Sequence, residues 1–241
     1  MIIGIIGFGR FGKLAVEYLA KDFQVLVYDR NNNIAEIKKM NATPVPLKEA
    51  ANADIIIPCV PISAFKEILE EIKNIIKTEA VIIDVCSVKE YPITLMKEIL
   101  PEQVQLLGTH PMFGPDSVFE GLEGRKIVLC RIRISDKNYN NIKEYLQSKK
   151  LIIIETTPEK HDQQIAQSLA LTHTIGRTLL EFNAKNLEID TEGYKRLMHI
   201  LEVVKNDTWE LFIDMNKYNP YAKKIREKFI QALKTIDKKL G

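Results

Sequence analysis

The stretch Gly7-Phe8-Gly9-Arg10-Phe11-Gly12 constrains the fold of this chain more than anything after it. Ile2–Gly7 is an apolar run of strand type, and Phe11–Lys21 is amphipathic at helical spacing. Glycines at G-x-G-x-x-G spacing, between a strand and a helix, form a dinucleotide-binding fingerprint. Gly7 permits the tight turn, Gly9 lets the backbone approach a pyrophosphate, and Gly12 allows close helix–strand packing. The helix N-terminus offers N–H donors and a positive dipole end to the phosphates. Gly7 to Gly12, including Phe8, Arg10 and Phe11, are therefore the expected cofactor-binding turn. A plain glycine-rich turn is the bland alternative.

The second strand-like run, Gln24–Tyr28, ends in Asp29-Arg30. Asp29 lies 22 residues past Gly7, close to the spacing of the acid that binds a ribose 2′-hydroxyl. That points to NAD. Arg30 beside it leaves NADP possible, through a 2′-phosphate, or is simply a solvated loop charge. Further strand candidates are Asp54–Pro58, Ala80–Val85, Val104–Gly108, Lys126–Ile132 and Leu151–Glu155. They alternate with helix candidates Ile34–Met40, Ile62–Ile76, Pro92–Leu100 and Asp136–Ser148. Such alternation is the signature of a doubly wound, Rossmann-like α/β sheet.

After Glu155 the pattern turns helical. Thr157-Pro158 suits a helix start, with Thr157 as a cap and Pro158 in the first turn. Further helices are expected over Glu192–Val204, Asp207–Met215 and Pro220–Leu240. The expected domains are 1–156, Rossmann-like and dinucleotide-binding, and 157–241, all-helical. So short a helical domain buries too little core alone, so a homodimer formed through it is expected. The Lys-rich tail, Lys223–Gly241, reads as a solvated helix face.

Composition excludes several classes. With 46% hydrophobic and 27% charged residues the 241-residue chain is globular rather than disordered. A formal net charge of +2 gives no support to a nucleic-acid partner. No apolar run approaches the ~18–20 residues of a membrane span, and the strand-like opening resembles no signal peptide. Three widely spaced cysteines, Cys59, Cys86 and Cys130, read as reduced core thiols, not a metal site, in a cytoplasmic protein.

A dehydrogenase needs a base for the hydroxyl proton, and histidine suits the task near neutral pH. His110 lies in Thr109-His110-Pro111-Met112-Phe113-Gly114-Pro115, just past the strand ending at Gly108. The carboxyl ends of strands are where open α/β sheets bind ligands. A solvated or structural loop histidine is the alternative.

At this point the sequence resembles the prephenate/arogenate dehydrogenase family, most of all its plant-type arogenate branch. The likeness rests on the glycine fingerprint, Asp84-Val85-Cys86-Ser87-Val88-Lys89-Glu90, the His110 segment, His161-Asp162, Leu171-Thr172-His173-Thr174-Ile175-Gly176-Arg177 and Asn219-Pro220. It implies that arogenate or prephenate is oxidatively decarboxylated in tyrosine biosynthesis, with hydride passing to NAD(P). It also implies that His110 is the base for the ring 4-hydroxyl, and that Ser87 orients the histidine or the same hydroxyl and stands among the cofactor-binding residues. Cys59-Val60-Pro61 would line the nicotinamide side, and Ser117 would contact substrate. His173 matches a substrate-binding histidine.

His173 and Arg177 are i, i+4 on one helix face, and arginine grips carboxylates bidentately; an interface salt bridge is the alternative for Arg177. Asp207 matches an acid of the plant enzymes. Its carboxylate would pair with the amino group of arogenate, which prephenate lacks; capping the following helix is the alternative. The chain departs from the family where a bacterial arginine is His199 here, and where a plant glutamine is Leu169. Plant members have Ser-Arg where this chain has Asp29-Arg30, so their NADP preference does not carry over. Alternatives are a pyrroline-5-carboxylate or imine reductase, a β-hydroxyacid dehydrogenase, or a non-catalytic NAD(H)-sensing regulator. The length leaves no room for a fused mutase or regulatory domain, so a single activity is expected.

Overall fold

The computed structural model describes residues 1–118 and 121–241. The chain divides into two compact units, Met1–Pro158 and Glu159–Gly241.

The first unit is built on an eight-stranded sheet: β1 (Ile2–Ile6), β2 (Gln24–Tyr28), β3 (Thr43–Pro44), β4 (Ile55–Pro58), β5 (Val81–Asp84), β6 (Gln105–Pro111), β7 (Lys126–Arg133) and β8 (Ile152–Glu155). The spatial order is β3-β2-β1-β4-β5-β6-β7-β8. All pairs are parallel except β6–β7. The order reverses direction between β1 and β4, so a crevice opens at their carboxyl ends. Helices α1 (Arg10–Leu19), α2 (Ile34–Lys39), α3 (Leu47–Ala50), α4 (Ile62–Ile72), α5 (Glu90–Ile99) and α6 (Asp136–Ser148) make the crossovers. The inner strands are buried along nearly their whole length, as strands covered on both faces must be.

Two features escape a reading by periodicity. β3 and α3 are only two and four residues long, too short for any period to register. β6 also runs on to Pro111, because β7 folds back antiparallel and pairs with it as far as Pro111↔Ile127. His110 therefore sits within a strand opposite Val128, not in a loop past the strand's end.

On one face of this sheet, α1 and α6 leave an apolar cavity of about 470 Å³, floored by Ile3, Ile57, Val81 and Ile127. The helices are tied at one end, where Phe23 and Tyr145 rings lie 4.9 Å apart and Tyr145 Oη donates to Asp22.

The second unit is helical: α7 (Pro158–Ile165), a π-helical turn (Ala166–Ala170), α8 (Leu171–Glu181), α9 (Glu192–Lys205), α10 (Trp209–Lys217) and α11 (Ala222–Leu240). α8 packs closely on α9 at Gly176. A Cβ there would lie 2.3 Å from the Val204 side chain and 3.2 Å from the Ile200 carbonyl. Thr191 and Thr208 cap α9 and α10, accepting from the Tyr194 and Leu211 N–H groups. The capping alternative for Asp207 is thus corrected: Thr208 supplies the cap, its hydroxyl being one residue nearer the N–H it must reach.

Candidate active site

In the first unit the glycine turn is closely set. Gly7 has φ +102°, and a Cβ on it would lie 2.4 Å from the Cys59 carbonyl. A Cβ on Gly12 would lie 2.2 Å from the Gly7 carbonyl oxygen. Gly9 differs: it caps α1, and a Cβ there would meet nothing within 4 Å. The turn is thus packed shut at Gly7 and Gly12 and open at Gly9. A dinucleotide pyrophosphate fits that opening, facing the N–H groups of the first helical turn.

Asp29 holds this turn together. Its Oδ2 accepts from Phe8 N–H at 2.7 Å, and its Oδ1 accepts from Asn31 N–H at 2.7 Å and Asn33 Nδ2 at 3.0 Å. Arg30 is a half-exposed charge held in ion pairs. It pairs with Glu67 and Glu71 of α4 at 2.8 and 3.1 Å. Arg10 likewise pairs with Asp116 at 2.5 Å. Cys59, half-buried, follows β4 and leads into Val60 and Pro61; burial pushes its thiol up to about 12, so it stays neutral.

His110 is buried, 6% exposed. Strand alternation fixes its side. Leu107 packs with Tyr139 of α6. A Cβ on Gly108 would instead lie 2.8 Å from Ile93 of α5. His110, two residues on, shares that α5 face. Ser87 stands in the turn leading from β5 into α5, and its Oγ is buried with no hydrogen-bond partner. Such a group is rare and calls for a reason. Ser117 donates to the Gly114 carbonyl and accepts from Gly114 N–H, both at 3.0 Å, which closes a local turn.

In the second unit, α8 brings His173 and Arg177 to one face, as their spacing requires. Asp207 joins them: its Oδ2 is 3.7 Å from His173 Nε2, and its carbonyl accepts from the Arg177 guanidinium. The guanidinium also lies 4.8 Å over the Trp209 ring. Trp209 was not singled out by sequence reasoning; its place two residues past Asp207 was the available signal. Burial, helped by the Arg177 charge, lowers His173 to about 4, so the imidazole is neutral at pH 7. His173 Nδ1 and Arg177 Nε are buried without hydrogen-bond partners. His161 Nδ1 and Asp162 Oδ1 lie 2.7 Å apart, both side chains buried, and Asn219 donates to the Asp162 carbonyl at 2.9 Å. These three residues knit α7 to the start of α11.

A family model described as prephenate dehydrogenase, nucleotide-binding domain, matches residues 18–155, more than half of the chain. The chain belongs to the prephenate dehydrogenase family. A second model, TYRAAT1-like, C-terminal domain, matches residues 178–241 of this family member. Arogenate dehydrogenase 1, chloroplastic, of Arabidopsis thaliana is 30% identical over 99% of this chain but 39% of the relative's length. Arogenate dehydrogenase 2, chloroplastic, of the same plant is 29% identical over 99% of this chain and 69% of its own. Among solved structures, prephenate dehydrogenase from Aquifex aeolicus, in complex with hydroxyphenyl propionate and NAD+, superimposes with TM-score 0.79 at 19% identity. That likeness covers 99% of this chain and 90% of the other, and it speaks for the fold. Among the described residues no helix is long and apolar enough to cross a membrane, and no histidine, cysteine or carboxylate group forms a metal-binding cluster.

Proposed function

We propose that this chain is an NAD-dependent dehydrogenase that oxidatively decarboxylates arogenate, or prephenate, in tyrosine biosynthesis. The observation that carries the reading is His110, buried on the α5 face of the sheet, on the side of the turn that presents the unpartnered Ser87 hydroxyl. Gly7, Gly9, Gly12 and the backbone around Phe8, Arg10 and Phe11 would hold the dinucleotide, with Asp29 toward the ribose and Cys59-Val60-Pro61 along the nicotinamide. A bound nicotinamide supplies the hydride acceptor. His110 takes the proton of the ring 4-hydroxyl, and Ser87 hydrogen-bonds the same hydroxyl and fixes its direction. The carbonyl so formed draws electrons through the ring, the bond to the ring carboxylate breaks, CO2 leaves, and the ring becomes aromatic. Ser117, His173 and Arg177 would grip the rest of the substrate.

Support for NAD comes from the charges around the second strand's end. Two carboxylates, Glu67 and Glu71, hold Arg30, and a 2′-phosphate would have to compete with both. Support for arogenate comes from Asp207. Its carboxylate lies 3.7 Å from His173 Nε2 and its carbonyl meets the Arg177 guanidinium, so an anionic group stands beside the expected substrate-binding pair, where an amino group would meet it. The reductase and sensor alternatives are not favoured, because the dehydrogenase family match covers residues 18–155. Three free thiols accord with a cytoplasmic location.

A homodimer is part of the same reading. Ile230, Leu233, Ile236 and Leu240 stand 43–83% exposed along the last turns of α11. A contiguous exposed apolar row of that kind marks an interaction surface, and a second copy would supply the cover. Light scattering is expected to give twice the chain mass.

The test is a trace at the NADH absorbance band, with both substrates against both cofactors. The expected order is arogenate with NAD first. His110→Asn is expected to slow turnover ~10²–10⁴-fold while NAD+ binding persists. A flat trace with both substrates refutes the enzyme reading.

A further inference from the structure

Asp84 ends β5 and Lys89 immediately precedes α5. Both side chains are fully buried, and the Lys89 ammonium pairs with Asp84 Oδ2. Burying two charges is costly, and an apolar pair of similar volume often serves stability as well or better. Stability alone is therefore a poor reason for an ion pair here.

The hydrogen bonds around it supply another reason. Asp84 Oδ1 accepts from Cys86 N–H at 2.8 Å, bending the chain in an Asx turn. The Asp84 carbonyl accepts from the Thr109 hydroxyl at 2.7 Å, and Thr109 is the residue before His110. One residue thus ties the end of β5 both to the turn that carries Ser87 and to the strand that carries His110. With Lys89 holding its other oxygen, Asp84 cannot rotate without losing a buried contact. The Ser87 hydroxyl is left buried and without a hydrogen-bond partner, held ready for a group outside its own chain.

We propose that the Asp84–Lys89 pair is a positioning element for the reaction, fixing the turn that aims the Ser87 hydroxyl and keeping it in register with His110. This rests on the reading of Ser87 and His110 as the proton-handling pair, through which Asp84 and Lys89 act.

The test removes both charges together. In the Asp84→Asn/Lys89→Met variant the acceptor for Cys86 remains and no lone charge is buried. Circular dichroism reports folding, and protein-fluorescence titration with NAD+ reports the glycine turn, which lies on other strands. Both are expected to match wild type, with Kd for NAD+ within about twofold. The kcat is expected to fall ~10–100-fold with KM nearly unchanged, the cost of a misplaced group. Combined with Ser87→Ala, the double variant is expected to lose no more than Ser87→Ala alone, since the two act as one unit.

A kcat within twofold of wild type overturns the proposal. So do losses that multiply with those of Ser87→Ala, and so does NAD+ affinity falling in step with kcat, since both mark general damage. If Ser87→Ala and His110→Asn both turn over at the wild-type rate, the acid–base reading fails and takes the proposal with it. That result is distinct from a sensitive Ser87 beside an indifferent ion pair. Should the double variant not fold, Thr109→Val cuts the tether to Asp84 at nearly constant volume, and the same outcomes are read from it.

Discussion

Arg30 and His173 show how far a residue's neighbours decide its chemistry. From sequence Arg30 had two readings, a phosphate ligand or a solvated charge. In the fold it is shared by Glu67 and Glu71, which come from a helix 37 and 41 residues away. Removing those carboxylates is expected to free Arg30 for a 2′-phosphate. In Glu67→Gln/Glu71→Gln the NADP-to-NAD ratio of kcat/KM should rise about tenfold, worth ~1.4 kcal/mol. An unchanged ratio in paired steady-state assays would show that Arg30 plays no part in cofactor choice. His173 makes a pH prediction. Its pKa is about 4 in the fold against 6.5 in the open chain. The unfolded state therefore binds the extra proton first as pH falls, so the native state loses stability between about pH 6.5 and 4. The loss is of order 3 kcal/mol. Denaturant titrations at pH 7.5 and 4.5 should show it, and His173→Gln should flatten the difference.

At the scale of elements, the second unit depends on close helix approach more than on long stretches of core. Gly176 lets α8 settle against α9, and Gly176→Val would drive a branched side chain into Val204. Overpacking of this kind costs ~1–3 kcal/mol, which a fall in Tm would report. Thr208→Ala removes the only described side-chain cap of α10 and should cost about 1 kcal/mol, measured the same way. Because Asp207 is the residue next to that cap, the variant should also change substrate KM more than kcat. A Tm drop with KM unmoved would separate the cap from the site. The π-helical turn at Ala166–Ala170 interrupts an otherwise continuous run from α7 to α8. Ser168, within it, donates to the Gln164 carbonyl. Such turns often lie beside functional residues, and His173 follows three residues after it.

At the scale of the whole molecule, the apolar cavity between α1 and α6 is a reserve of stability in the first unit. Ala15 lines it on the α1 side. Ala15→Leu should add apolar contact without disturbing the helix and raise stability by up to about 1 kcal/mol, visible as a higher Tm. A lower Tm would mean that the space is already filled in solution. The sequence by itself determined the α/β sheet and the glycine turn, because strand and helix periods and G-x-G-x-x-G spacing are local properties. His173 and Arg177 were likewise legible as neighbours, since four residues along a helix bring side chains together. The tertiary structure alone decided that His110 lies inside a strand, because the partner making it one, β7, is remote in the chain and runs the other way. It alone decided Arg30's partners, the buried Asp84–Lys89 pair and the Trp209 ring under Arg177. Charge pairing, burial and stacking depend on which distant residues meet, and no local period carries that information.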